Sequence, residues 1–301
     1  MALTERDGGD DDRSPRGPSR QTVVTRRVLL ILGAASLTGA SGTPSSPPSI
    51  NVLRRQLAKG EIPGDSHPQP RPIPTPHKPW KPPTVAKPVA GHCPVIDDVV
   101  QRPGGPQHYV PCHGTNIGLT IDDGPSSTWT PQVLKLLDRY HVTATFCMIG
   151  RNAAARPDLV KAITDAGHEV ANHTWTHPLP FNQLKTAQVR DEIHRTSDLL
   201  TSLHVAPVYF RAPGGEWTPD VLAEVKSAGL RPLDWSVDPR DWSRPGVPHI
   251  VDTILRQTRP GAIILDHDGG GDRQQTVDAL TIALPRLIDA GYTFVTPNSN
   301  T

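Results

Sequence analysis

His173 and His177 stand four apart in the stretch Ala171-Asn-His-Thr-Trp-Thr-His-Pro178. Two imidazoles at this spacing can offer ring nitrogens to one divalent cation. If the stretch opens a helix, both project from one face, because positions i and i+4 are neighbours there. Alone they supply neither a negative charge to anchor the ion nor a base to use it. The carboxylates Asp122 and Asp123, about fifty residues upstream, can supply both: one neutralised on the cation, its neighbour free to take a proton from water. The plainer reading is a turn histidine, a surface histidine and an Asp-Asp-Gly-Pro turn leaving a strand. What decides between them is whether the rest of the chain brings these groups together.

From Cys112 onward, strand and helix signals alternate. The spacing predicts strands over 117–121, 142–149, 168–171, 207–211, 230–235, 261–265 and 292–296. Helices are expected over 130–140, 157–166, 184–203, 219–228, 248–257 and 274–290, the first with Thr130 as its cap and Pro131 in its first turn. Such alternation implies parallel strands with right-handed crossovers, in a barrel or an open doubly wound sheet. In either, chemistry gathers where strands end. Five polar clusters fall there: Asp122-Asp123, His173 with His177, Arg211-Ala-Pro-Gly-Gly215, Asp238-Pro-Arg-Asp-Trp242, and Leu265-Asp-His267-Asp268.

The preceding chain is of another kind. Lys and Arg number 31 against 30 Asp and Glu, so no electrostatic footprint for nucleic acid is present. The 34 prolines concentrate ahead of residue 112, which argues for one globular domain behind a non-globular lead. Residues 1–42 read as a secretory signal: a polar lead, Arg26-Arg27, a short apolar run Val28–Leu37, then small residues. The string Thr25-Arg26-Arg27-Val28-Leu29-Leu30 resembles a twin-arginine signal. The apolar run is shorter than the ~20 residues that a bilayer span needs, so no stable span is expected after processing. Residues 43–92 read as a disordered, proline-rich linker, extended and suited to carrying a domain through a cell wall. Of the three cysteines, export permits a Cys93–Cys112 bridge, while Cys147, in an apolar strand, reads as a small buried hydrophobe. Residues 93–301 are then the domain.

The five ordered clusters resemble the motif set of the polysaccharide deacetylase family, the NodB-homology carbohydrate esterases of family 4, over about residues 115–297. The resemblance implies a distorted (β/α)7 barrel. It implies Asp122 as general base, with Asp123, His173 and His177 holding a divalent metal, Zn2+ first and Co2+ or another divalent ion as alternatives. It implies Arg211 bonded to Asp122, His267 as general acid and Asp241 orienting it. Gly214 would hold the oxyanion through its N–H, and Trp242 and Leu265 would line the acetyl pocket. Gly214 stands where the family carries an aromatic, and Trp217 is the expected substitute for that ring. His168 is expected to be structural.

The function implied is a secreted, monomeric, metal-dependent deacetylase of N-acetylglucosamine polymers, peptidoglycan first and chitin oligomers next. Deacetylation of acetylxylan oxygens is the alternative within the chemistry, and a catalytically dead carbohydrate-binding relative the alternative of another class.

Overall fold

The computed structural model describes residues 80–88, 104–111 and 114–298. The expected signal segment, most of the linker and both partners of the expected Cys93–Cys112 bridge lie outside the described residues. Within the linker stretch, residues 80–88 have no regular structure, and Val85 packs against the main core.

Seven parallel strands form the frame: β1 (Asn116–Asp122), β2 (Thr145–Met148), β3 (Glu169–Asn172), β4 (Tyr209–Phe210), β5 (Arg231–Pro232), β6 (Ile263–His267) and β7 (Thr293–Phe294). The helices are α1 (Thr130–Tyr140), α2 (Gly150–Ala155), α3 (Pro157–Asp165), α4 (Thr186–Ser202), α5 (Pro219–Ser227), α6 (Val247–Gln257) and α7 (Gln274–Ala290). The strand order is β5-β4-β3-β2-β1-β6. The last strand, β7, pairs with the start of β1, whereas β2 pairs with its end. All of β1 is buried, as expected for a central parallel strand covered on both faces.

The sheet curls until its ends meet. Residues 231–233 bond β4, through Arg231 N–H to Val208 and Leu233 N–H to Phe210. A few residues on, Val237 bonds β6, accepting from Leu265 and donating to Ile263. Below that junction, residues 107–110 fill the gap: Asp234 N–H donates to Gln107, and Val110 N–H to Gly261. The result is a distorted barrel of the α/β class.

Strand alternation then sorts the side chains. Cys147, Ala171, Tyr209, Leu233 and Ile263 share one apolar cluster inside the barrel. Their strand neighbours Phe146, Val170 and Ile264 join the layer beneath the helices. Two residues further along the inward-facing set, at the carboxyl end of each strand, come the polar groups. Ala171 is followed by His173, Tyr209 by Arg211, and Ile263 by Leu265 and His267. On β1, a Cβ at Gly118 would meet Val110 and Ile263 of the same interior cluster, so Thr120 and Asp122 face inward too. The period of two thus delivers four of the five clusters to one mouth.

The expected elements are present, with β2, β4, β5 and β7 shorter than expected. Three local expectations are corrected. The His173–His177 stretch is not helical: Thr174 and His177 have φ of 65° and 58°, which a right-handed helix excludes. Helix α2, over 150–155, was not foreseen. Thr130 does not cap α1, since Trp129 holds that position with no side-chain cap. Instead Thr130 is fully buried, accepts from Ser126 N–H and donates to Asp268.

Candidate active site

The mouth encloses a cavity of about 550 Å3 lined by Asp122, Asp123, His173, His177, Gly214, Trp242, Leu265 and His267 among others. Three of these form a ligand set. Asp123 Oδ1 lies 3.5 Å from His173 Nε2 and 3.4 Å from His177 Nε2. This Oδ1 atom is buried and has no hydrogen-bond partner. His173 Nδ1 lies 2.8 Å from the Arg211 carbonyl, an acceptor only. The proton therefore sits on Nδ1, and Nε2 keeps its lone pair toward Asp123. An orphan carboxylate oxygen and converging imidazole nitrogens, all within 4.8 Å of one another, fit a divalent cation. The donor set suits zinc, with cobalt, iron or manganese as chemically allowed occupants.

The loop geometry makes this convergence possible without a helix. Asn172 Oδ1 accepts the Thr174 N–H at 2.9 Å, and Thr174 Oγ1 accepts the His177 N–H at 3.0 Å. Asn172 is itself tied to Ile193 and Ser197 of α4, and Glu192 of that helix accepts from both the N–H and the hydroxyl of Thr176. These bonds fold the loop so that the two rings stand edge to face, 4.9 Å between centroids.

Across the ligand set, Arg211 is wholly buried and donates from Nη1 to Asp122 Oδ1 at 2.7 Å and to Thr120 Oγ1 at 2.8 Å. Its Nη2 donates to the Asp234 carbonyl. Burial alone would raise the Asp122 pKa. The guanidinium beside it, together with the charges of His173 and His267, outweighs burial and holds the carboxyl below its ordinary value. Asp122 Oδ2 lies 3.7 Å from His173 Nε2. Burial would raise Asp123 as well, but the imidazoles of His173, His267 and His177 around it outweigh burial and hold its carboxyl below the ordinary value.

On the neighbouring strand, in register with Asp122, His267 Nδ1 donates to Asp241 Oδ1 at 2.7 Å. Burial would depress this imidazole, but the Asp241 charge and bond reverse that and push it up to about 9. His267 is thus an imidazolium at neutral pH, suited to give up a proton. Cys147 lies in register with Asp122 beneath the site, fully buried, with its thiol pushed well above the ordinary value by burial. His168 packs on Phe146 outside the pocket.

The two rims differ. Trp242 is 46% exposed and Leu179 60% exposed, both lining the cavity. Gly214 lines it with φ of 63°. Trp217 does not supply the missing ring: it packs edge-on against Phe210, donates to Asp234 Oδ2 at 2.9 Å, and lies in a separate core. Leu179 takes that place, since its Cδ2 lies 3.4 Å from where a Gly214 Cβ would stand.

Several residues at the site were not singled out from sequence. Thr120, Asn152, Arg273 and Thr276 carry polar side chains of ordinary appearance. Asn152 donates to the Asp123 carbonyl at 2.8 Å. The one sequence signal was the run Gly269-Gly270-Gly271. A Cβ on Gly269 would overlap the Asp123 backbone, and one on Gly270 would lie 2.6 Å from Asp123 Oδ2. Glycine is required there by close approach to Asp123.

Comparison with known proteins agrees with this geometry. A family model described as polysaccharide deacetylase matches residues 111–233. A chitooligosaccharide deacetylase of Bradyrhizobium sp. (strain ANU 289) is 44% identical over 200 residues, covering 62% of this chain and 91% of that protein. A peptidoglycan-N-acetylglucosamine deacetylase of Bacillus cereus is 42% identical over 189 residues, covering 62% and 88%. A crystal structure of a peptidoglycan N-acetylglucosamine deacetylase in complex with a substituted benzamide superposes with a TM-score of 0.60 at 34% identity, over 63% of this chain and 89% of the other. With the barrel, the five clusters and relatives matched along most of their own length, this chain belongs to the polysaccharide deacetylase family.

Proposed function

We propose that this protein is a metal-dependent hydrolase that removes N-acetyl groups from polymers of N-acetylglucosamine, with peptidoglycan as first substrate and chitin oligomers as second. The observation that carries the reading is the juxtaposition of Asp123 Oδ1, buried and unpartnered, with the histidine Nε2 atoms of residues 173 and 177. A base paired to Arg211 and an acid paired to Asp241 flank that set.

Asp123, His173 and His177 would hold the cation. When bound it supplies carbonyl polarisation and a more acidic water. Asp122 accepts the proton of the water whose oxygen attacks the amide carbon. The N–H of Gly214 donates to the carbonyl oxygen as negative charge builds on it. The carbon–nitrogen bond then breaks, and His267 delivers its proton to the departing nitrogen, giving acetate and a free amine. Leu265 and Trp242 form the apolar wall against which the acetyl methyl group rests. Asp241 and Arg211 touch no substrate; they hold the acid and the base.

The leaving group favours nitrogen over oxygen. An amine leaves poorly unless protonated, and a histidine held protonated to about pH 9 matches that demand. Release of an alcohol from acetylxylan needs such an acid less. The intact constellation also speaks against a dead binding module. Arg26-Arg27 and the apolar run that follows support export to the cell envelope. Among the described residues no helix is long and apolar enough to cross a membrane.

The test is acetate release by the full-length, metal-reconstituted protein from N-acetylglucosamine oligomers, peptidoglycan fragments and acetylxylan. The reading expects acetate with matching free amine from the first two. Acetate from xylan alone would transfer the assignment to oxygen esters, and none from any of the three would end it.

A further inference from the structure

The turn that carries Asp241 is gripped from the start of α7. Thr276 Oγ1 donates to Asp241 Oδ2 at 2.7 Å. Gln275 Oε1 accepts the Gly246 N–H at 2.8 Å. Arg273, the residue before α7, donates from Nη1 to the Trp242 carbonyl at 3.3 Å and from Nε to the Gly269 carbonyl at 2.6 Å. One guanidinium therefore spans the Asp241–Trp242 turn and the chain just past His267. Arg273 is 4% exposed and Thr276 1% exposed. Burying such polar groups is costly unless they are bonded, and the bonds they make converge on the acid's support.

Among the described residues, the other hydrogen bonds of the turn, those to β6 aside, are local, within residues 238–244. Asp241–Ser243 is a single 3-10 turn flanked by Arg240 and Arg244, both in the left-handed region, with φ of 54° and 55°. Its bonds to β6 are those of Asp241 itself to the His267 backbone and ring. The direction of the Asp241 carboxylate therefore depends on what holds its second oxygen, and Thr276 is the side chain that does so.

We propose that Thr276 and Arg273 are positioning residues for the general acid: they lock the Asp241 turn against His267 and so set the direction in which the imidazole presents its proton. The kinetic part of this proposal rests on the deacetylase reading; the structural part does not.

The test compares Thr276→Val, Thr276→Ser and Arg273→Lys in the full-length protein. The readouts are the proton resonance of His267 Nδ1–H, steady-state kinetics and thermal stability. Besides Asp241, the acidic groups acting on His267 are Asp122, Asp123 and Asp268; none of the three variants alters these. Thr276→Val is expected to broaden or lose the downfield Nδ1–H signal and to lower kcat about tenfold or more, with KM within about twofold. Thr276→Ser, which keeps the hydroxyl, restores both, and Arg273→Lys shifts both in the direction of Thr276→Val. If Thr276→Val and Arg273→Lys lower Tm while leaving the signal and kcat as in the parent, the proposal is overturned. Should Thr276→Val not fold, Arg273→Lys decides alone. A parent protein that releases no acetate, yet loses the signal in these variants, would refute the functional reading and leave the positioning role standing.

Discussion

Asp241 holds His267 twice. One carboxylate oxygen accepts the ring Nδ1–H at 2.7 Å, and the other accepts the backbone N–H of the same residue at 3.0 Å. The grip fixes both where the imidazole sits and which nitrogen is left for the pocket. It also sets the charge state. The pKa of His267 is raised from an ordinary 6.5 to about 9. The interaction therefore stabilises the folded protein fully below about pH 6.5 and is lost as pH rises through about 9. The acid form disappears over the same interval, so kcat is expected to fall on an alkaline limb near pH 9. In Asp241→Asn, the largest charge opposing burial is lost, and the midpoint of His267 should drop well below about 9. Turnover at neutral pH should fall by about 10²–10⁴. Titration of the His267 ring by NMR checks the first expectation and a pH–rate profile the second.

Arg211 tests the base in a different way. It is fully buried, and its partner Asp122 is almost wholly out of bulk solvent, exposed only toward the cavity. Removing one partner of a buried pair leaves the other uncompensated, at a cost of about 3–5 kcal/mol. Arg211→Met should lose stability of that order in denaturant unfolding. The Asp122 carboxyl, freed of its guanidinium, should titrate higher than in the parent.

The two histidines should separate in their effects. His173 is 2% exposed and bonded through Nδ1 to the Arg211 carbonyl, whereas the His177 side chain is 22% exposed. His173→Ala is expected to lose bound metal and also to lower the Tm of the metal-free protein. His177→Ala should lose metal with little change in metal-free Tm. Elemental analysis alongside calorimetry of chelator-treated protein distinguishes the two.

Gly269→Ala probes the support behind Asp123. The added methyl group would overlap the Asp123 carbonyl and crowd the Gly124 nitrogen at 2.8 Å, so the ligand must move. Displacing a ligand's support typically costs 10–100-fold in metal affinity. Competition with a chromogenic chelator should show a loss of about that size.

The readable part of this molecule was its periodicity. Inward-facing positions on the strands alternate with helix-facing ones, so Asp122, His173, Arg211 and His267 could be placed at one mouth from spacing and strand ends. Their partners could not be placed so. Thr276 bonds Asp241 from 35 positions away, and Asn152 bonds Asp123 from 29 away; neither carries a local signal. The loop at His173 was misread because i, i+4 spacing suits a helix, whereas Asn172 and Thr174 side chains bond the backbone and turn it left-handed. Trp217 was misplaced for a related reason. An aromatic near a missing aromatic suggested replacement, but its N–H found Asp234, and its ring filled the core beside Phe210.

Asp122→Asn provides the most direct trial. The substitution keeps the side chain's shape, removes the proton acceptor and leaves the three proposed ligands in the sequence. The variant should retain one equivalent of bound cation while acetate release from N-acetylglucosamine oligomers drops by about 10² or more. Turnover near that of the parent, with the cation still in place, would contradict the assignment of the base and with it the shared centre at the barrel mouth.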